Sequence, residues 1–325
     1  MLDYYRTQSP ITNPGQLGEL FDPLPDSPGE IITVIHGLII HKLVADAYHV
    51  SLSQNQRSEQ HLRTIRQILE RIQDLDSAPL IEPRIPAERL VGVCRDFAVL
   101  LTSILRHKGI PARMRVGFAS YLDPDGIMKY DHWITEYWQE SEQRWILADA
   151  QIDEIQRRSF RIDVDVTDLK SDHDFYFAGS AWLKARAGKI ESTYYRFNGS
   201  WKGLPCIRGN LLQDFQSLNK VELNPGDSWD SFAQKMDREL TAEDKALLDR
   251  IAVLTLGGEN RFTELRSLFG EMPRSQLIYD RLRLLGIIEP VQSIKTDELK
   301  ASDTSRLREA GNEDGKQVQI TLDPA

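Results

Sequence analysis

The sequence predicts an α+β fold, and two observations carry that prediction. Apolar residues recur at helical spacing in two segments, first Leu62, Ile65, Ile68, Leu69 and Ile72, then Phe97, Ala98, Leu100, Leu101, Ile104 and Leu105. Two strand-like runs, 131–138 and 143–150, flank the polar stretch Gln139-Glu140-Ser141-Glu142, as the arms of an antiparallel hairpin do.

With 325 residues, the chain is long enough to bury a substantial core. Its composition, 41% hydrophobic and 27% charged, is that of a globular protein rather than a disordered one. The net charge of −9 argues against a broad phosphate-binding surface, so nucleic acid is not an expected partner. The first residues lack a basic segment followed by an apolar core, and no apolar run reaches the roughly 18 residues of a spanning helix. The expectation is a cytoplasmic protein with no membrane partner. There are two cysteines, Cys94 and Cys206, with no CxxC pair and no cluster at zinc spacing. This excludes a disulfide framework and leaves one reactive and one structural thiol as the simplest account.

Residues 7–30 read as an irregular lead-in rich in Pro, Gly, Asp and Ser. From Ile31 to Val44 the apolar residues are too dense for a surface helix and predict a buried one, with Pro28 near its start. His36 and His41 lie in or near it, where a structural role outweighs a chemical one. A second helix is expected over Ser58 to Leu75. The proline-rich stretch 79–87 cannot be regular helix and should deliver the chain in extended form to Cys94.

The next helix begins at or beside Cys94 and stops at Lys108-Gly109. An unpaired N–H and the helix dipole at that end favour an anion, which suits a thiolate and an oxyanion alike. Residues 112–118 follow as a strand. If 139–142 form the hairpin loop, residue numbers of paired positions add to 281. Trp138 then faces Gln143, Glu136 faces Trp145, Ile134 faces Leu147, and His132 faces Asp149 on one face of the sheet. Beyond Gln151 one more strand is possible over 156–166, and helices are expected over 178–187 and from about 204 to 220. Three short helices over 241–289 could suggest a DNA-binding module, although their arginines equally suit a solvated helical face. From Pro290 onward apolar residues thin out, as in a mobile tail.

Cys94, His132 and Asp149 supply a nucleophile, a base that can return its proton as an acid, and a carboxylate to orient that base. The motifs Gly92-Val93-Cys94-Arg95-Asp96-Phe97-Ala98, Asp131-His132-Trp133 and Arg144-Trp145-Ile146-Leu147-Ala148-Asp149 resemble the transglutaminase-like superfamily. So does 106–113, Arg-His-Lys-Gly-Ile-Pro-Ala-Arg. The resemblance is strongest over 88–153, and segments 36–41 and 208–212 look like flanking elements of bacterial members.

It implies a papain-like core in which a helix carrying the Cys packs on an antiparallel sheet carrying the His and Asp. It also implies the nucleophile, base and orienter roles for Cys94, His132 and Asp149. The second oxyanion donor stays open, because Glu88 stands where papain-like enzymes place a Gln. Arg95 and Asp96 could orient substrate or cap the helix, and Trp133 is better suited to packing.

The expected organisation is an N-terminal helical part of the core domain (1–90), the catalytic core with flanking helices (91–225), a C-terminal helical appendage (226–289) and a tail (290–325). The expected activity is acyl transfer from an amide or thioester carbonyl of a peptide, small molecule or carrier-bound acyl group, to water or an amine. The alternatives are a non-catalytic binding or scaffold protein with the same fold and, more weakly, a regulator acting through 241–289. No cofactor or metal is expected. Asp123-Pro124-Asp125-Gly126 reads as a turn rather than a calcium loop. Substrate identity and oligomeric state are not legible.

Overall fold

The computed structural model describes residues 1–197, 201–225, 227, 237–272, 280, 282–284 and 286–287. The expected tail at 290–325 and most of the third appendage helix lie outside these residues. Residues 1–288 form one compact unit, a mixture of helices and an antiparallel sheet.

After a short helix α1 (Leu2–Arg6), helix α2 (Pro28–His36) opens with Pro28 and buries Ile31, Ile32 and Ile35. It is shorter than the apolar run suggested. The run continues as strand β1 (Ile39–His41), which pairs in parallel with β2 (Leu90–Gly92), so His41 sits beside Gly92. A three-residue strand with a distant partner has no local signature; the pairing, rather than the periodicity, decides its conformation.

Helix α3 (Gln54–Ser58) precedes α4 (Ile65–Leu75), and Thr64 caps α4 through the N–H of Gln67. The helix expected from Ser58 therefore begins seven residues later. Helix α5 (Cys94–His107) is buried along nearly its whole length. Phe97, Leu100, Leu101, Ile104 and Leu105 enter the main core, and each contributes about 1.5–3 kcal/mol by leaving water.

The main sheet runs β5 (Arg144–Ala148), β4 (Lys129–Gln139), β3 (Ala112–Ala119), β6 (Phe175–Phe177), with β7 (Tyr195–Arg196) beside the start of β4. Its two faces serve different cores. Trp133, Met114, Val116 and Ile146 join the main core under α5, where the Thr135 hydroxyl donates to the Ala98 carbonyl at 3.0 Å. Ile134 and Leu147 join a smaller cluster with Ile152, Ile162, Val166 and Leu169.

The hairpin register differs from the sequence expectation by two residues. Glu136 pairs with Leu147 and Gln139 with Arg144, so the loop is 140–143 and paired numbers add to 283. Gln143 takes a left-handed conformation (φ 51°) that closes the longer arm. A shift of two preserves the face on which every side chain stands, whereas a shift of one would have reversed it.

The strand considered over 156–166 is instead helix α6 (Glu154–Phe160), capped by the Asp153 carboxylate on the N–H of Gln156 at 2.9 Å. Helices α7 (Ala178–Arg186) and α8 (Leu204–Leu218) follow. The appendage helices Ala242–Leu256 and Gly258–Glu271 share the main core through Leu248, Ile251, Leu265, Leu268 and Phe269. No helix among the described residues is long and apolar enough to cross a membrane.

Candidate active site

Cys94 is the first residue of α5, so no carbonyl lies one turn behind its N–H. The turn before it is tight. Val93 N–H donates to the Asp96 carboxylate at 2.9 Å, and Asp96 N–H returns a bond to the Val93 carbonyl at 2.8 Å. A Cβ at Gly92 would stand 2.9 Å from that same carboxylate and 3.1 Å from Ile39 Cγ2. Only glycine lets β2 approach the helix start this closely. Asp96 thus caps the helix that presents Cys94.

Arg95 points away from the cavity. It is fully buried and donates to the carbonyls of Arg63 at 2.5 Å and Glu222 at 2.8 Å. Its contacts serve structure: it fastens two neighbouring segments to the helix start. Trp133 is likewise core, 1% exposed.

His132 stands near the start of β4, opposite Gly117 of β3. Its Nε2 lies 2.8 Å from Asp149 Oδ2, which leaves the other ring nitrogen free, and the ring interacts electrostatically with the Cys94 thiol on the same cavity wall. Asp149 lies one residue past β5. In the observed register it is not directly across from His132, so the contact is diagonal. The sequence expectation of a direct cross-strand pair is therefore corrected, while the meeting of the two side chains on one face stands.

Asp149 is held on all sides. Tyr121 donates its hydroxyl to Oδ2 at 2.7 Å, and the N–H of Gln151 donates to Oδ1 at 2.8 Å. Burial alone would raise this carboxyl, yet the charge and hydrogen bond of His132, with help from Tyr121, hold it below the ordinary Asp range. Burial likewise opposes the imidazolium of His132, but Asp149 and then Cys94 overcome it and push the ring up to about 10. Burial pushes the Cys94 thiol up, against the pull of His132. A lone thiolate is disfavoured in this setting, and a thiolate formed together with the imidazolium is the favoured charged form of the pair.

The thiol opens into a cavity of about 590 Å³. One wall comes from the β1 exit, His41 to Val44. Others come from Gln60, His61 and Arg63, and from Asn224, Pro225 and Asp227. Arg63 is held by a two-pronged bond to Asp227 at 2.9 and 3.0 Å. Lys42 lies half-buried at the wall with its ammonium on the Gln60 side-chain oxygen, its pKa lowered by burial. Asp131, also on the wall, is pushed up to about 6 by burial against an Asn210 amide that donates to it at 2.6 Å. Cys206 is buried away from this cavity, and burial raises its thiol far out of reach of neutral pH.

Sequence reasoning brought Cys94, His132 and Asp149 together and missed Tyr121, which sits in a loop with no periodic pattern. It also missed the 60–63 and 224–227 walls. Among the described residues, no group of three or more His, Cys, Asp or Glu side chains could hold a metal ion.

Residues 52–150 match the model of the transglutaminase-like superfamily. Over this region the chain is similar to a transglutaminase-like core. The match takes in Cys94, His132 and Asp149, and leaves outside it the β1 wall and the Asn224, Pro225 and Asp227 wall of the cavity. The chain is also similar to a crystal structure from Cytophaga hutchinsonii described as a "Putative Cysteine Protease", with 21% identity and a TM-score of 0.27. That likeness covers 46% of this chain and 41% of the other. No curated protein matches the sequence.

Proposed function

We propose that this protein is a cysteine-dependent acyl-transfer enzyme acting on an amide or thioester carbonyl. The observation that carries this reading is the His132–Asp149 hydrogen bond on the same cavity wall as Cys94, whose thiol stands at a helix start and interacts electrostatically with the His132 ring. The transglutaminase-like match over the same residues supports it.

In the first step the Cys94 sulfur attacks the carbonyl carbon as its proton passes to His132, and the carbonyl electron pair moves to oxygen. Collapse of the tetrahedral adduct expels the amine or thiol, which takes its proton from His132, and leaves a thioester on Cys94. Water or an amine then attacks that thioester, with His132 again taking the incoming proton, and free Cys94 returns. Asp149 keeps the ring oriented and stabilises its charged form throughout.

Paired alkylation and mass measurements test this. At pH 7, iodoacetamide should modify Cys94 much faster than Cys206, and His132→Ala should slow Cys94 by roughly tenfold or more by removing the thiolate's partner. Incubation with amide and thioester pools should leave an acyl mass on wild-type protein and none on Cys94→Ala. Equal rates for the two thiols would overturn the reading in favour of a binding or scaffold protein.

A further inference from the structure

We infer that the Nε2–H of His41 is the second donor to the oxyanion formed in the Cys94 reaction. The inference rests on the acyl-transfer reading above. It assigns a catalytic role to a residue outside the matched transglutaminase-like region, in the strand that precedes it.

Four observations converge on this histidine. The parallel pairing of β1 with β2 sets His41 beside Gly92, two residues before Cys94, and Lys42 N–H to Gly92 carbonyl at 2.9 Å fixes that register. His41 lines the same cavity as Cys94 and His132 while being only 9% exposed.

Its tautomer is dictated locally. Nδ1 accepts the N–H of Leu43 at 3.3 Å, so the ring proton of the neutral imidazole must sit on Nε2. That Nε2 has no hydrogen-bond partner among the described residues, nor is it among their sealed, unpartnered buried atoms. It is a donor open to the cavity.

The ring is also held neutral. Burial, then the charges of His132 and Lys42, lower its pKa to about 3. A neutral donor stabilises a developing oxyanion without competing with the His132 imidazolium for the thiolate in the resting site.

The other neutral side-chain amides on the cavity wall each already donate to another group. Gln60 donates to the Arg57 carbonyl, Gln151 to the Gln156 side chain, Gln156 to Tyr48 and the Gln151 carbonyl, and Asn224 to the carbonyls of Gln60 and Leu62. The indole N–H of Trp133 is sealed in the core. Together with the backbone N–H of Cys94 at the start of α5, His41 completes a two-donor site. In that site the carbonyl carbon bonds to sulfur, and the oxygen carrying the displaced electron pair meets both N–H groups.

Two chemistries of the same thiol separate this role from a structural one. Acylation by p-nitrophenyl acetate passes through an oxyanion and releases p-nitrophenolate, whereas alkylation by iodoacetamide passes through none. His41→Phe keeps an aromatic ring and removes the donor. It should slow Cys94-dependent acylation by about 10²–10³-fold, the usual effect of deleting one oxyanion donor, with alkylation unchanged.

His41→Gln, which restores an N–H, should recover part of that loss. Acylation at the wild-type rate in His41→Phe overturns the inference while leaving the acyl-transfer reading intact. An equal fall in both chemistries also overturns it, since His41 would then be supporting the thiol itself. If wild-type protein shows no acylation above the Cys94→Ala blank, the acyl-transfer reading fails and this inference fails with it.

Discussion

Glu136 and His132 stand four residues apart on the same face of β4, yet their surroundings differ in kind. Glu136 lies between Arg113 at 2.5 Å and Arg115 at 2.9 Å, and Arg115 offers its other edge to both oxygens of Asp214 at 3.0 Å. Asp214 also accepts the N–H of Val116 at 2.9 Å. Burial would lower the pKa of Arg115, but the two carboxylates raise it, and Glu136 is held below its ordinary range despite burial.

At the His132 end no arginine of the described residues arrives. One imidazole bonds a carboxylate beside a thiol, a phenol joins the carboxylate, and among the described residues the neighbouring carboxyl of Asp131 has only an amide. The first cluster closes its charges against each other and ties α8 to the sheet. The second leaves bonding capacity facing a cavity, as a reacting site requires.

The largest expected effect comes from opening the closed cluster. Asp214→Ala leaves Arg115 buried with one of its two carboxylates gone and should cost about 3–5 kcal/mol in urea unfolding. A loss below about 1 kcal/mol would mean that this network does not hold α8 in place.

The second prediction concerns charge at the open cluster. Asp131 takes its proton at about 6 in the fold, against near 3.9 in an unfolded chain. Between those values the folded protein binds more protons than the unfolded one. The Asp131 contribution to stability therefore rises as pH falls from about 6 towards 4, by up to about 3 kcal/mol. Asp131→Asn, which still presents an oxygen to Asn210, should be more stable than wild type at pH 7.5 and lose this advantage at pH 4. Parallel stability-versus-pH curves for the two proteins would sink the idea.

The smallest effect is expected from Tyr121→Phe. One donor to a charged acceptor is removed while the N–H of Gln151 and the ring of His132 remain on Asp149, so the cost should be about 1.5 kcal/mol in the same unfolding measurement. No change in stability would show that the phenol is not bound to the carboxylate in solution.

The sequence made the Cys94 helix legible because its apolar stripe and its Gly109 stop are local signals. It made the meeting of His132 and Asp149 legible for a different reason: face alternation survives an even error in register. The register itself was hidden, since Gln139, Glu140, Ser141, Glu142 and Gln143 are all polar and any four of them could turn the chain. Strand β1 was absorbed into a helix because its conformation depends on β2, fifty residues away. The place of His41 beside Gly92 was hidden for the same reason, with nothing local to say which residue it would stand beside. Helix α6 announced itself only through the Asp153 cap, which the alternating apolar residues after it obscured.

Arg95 links the cavity walls to Cys94 mechanically. Its guanidinium grips the backbone at Arg63 and at Glu222, and Arg106 grips the Glu222 carboxylate at 3.0 Å from farther along α5. Two of the cavity's walls are thus lashed to the helix whose first residue is Cys94. Remodelling at Arg63 or Glu222 would shift the helix start and the thiol with it. The margin formed by Leu43 and Phe160 carries neither of these ties, and there the cavity could be reshaped without disturbing the helix.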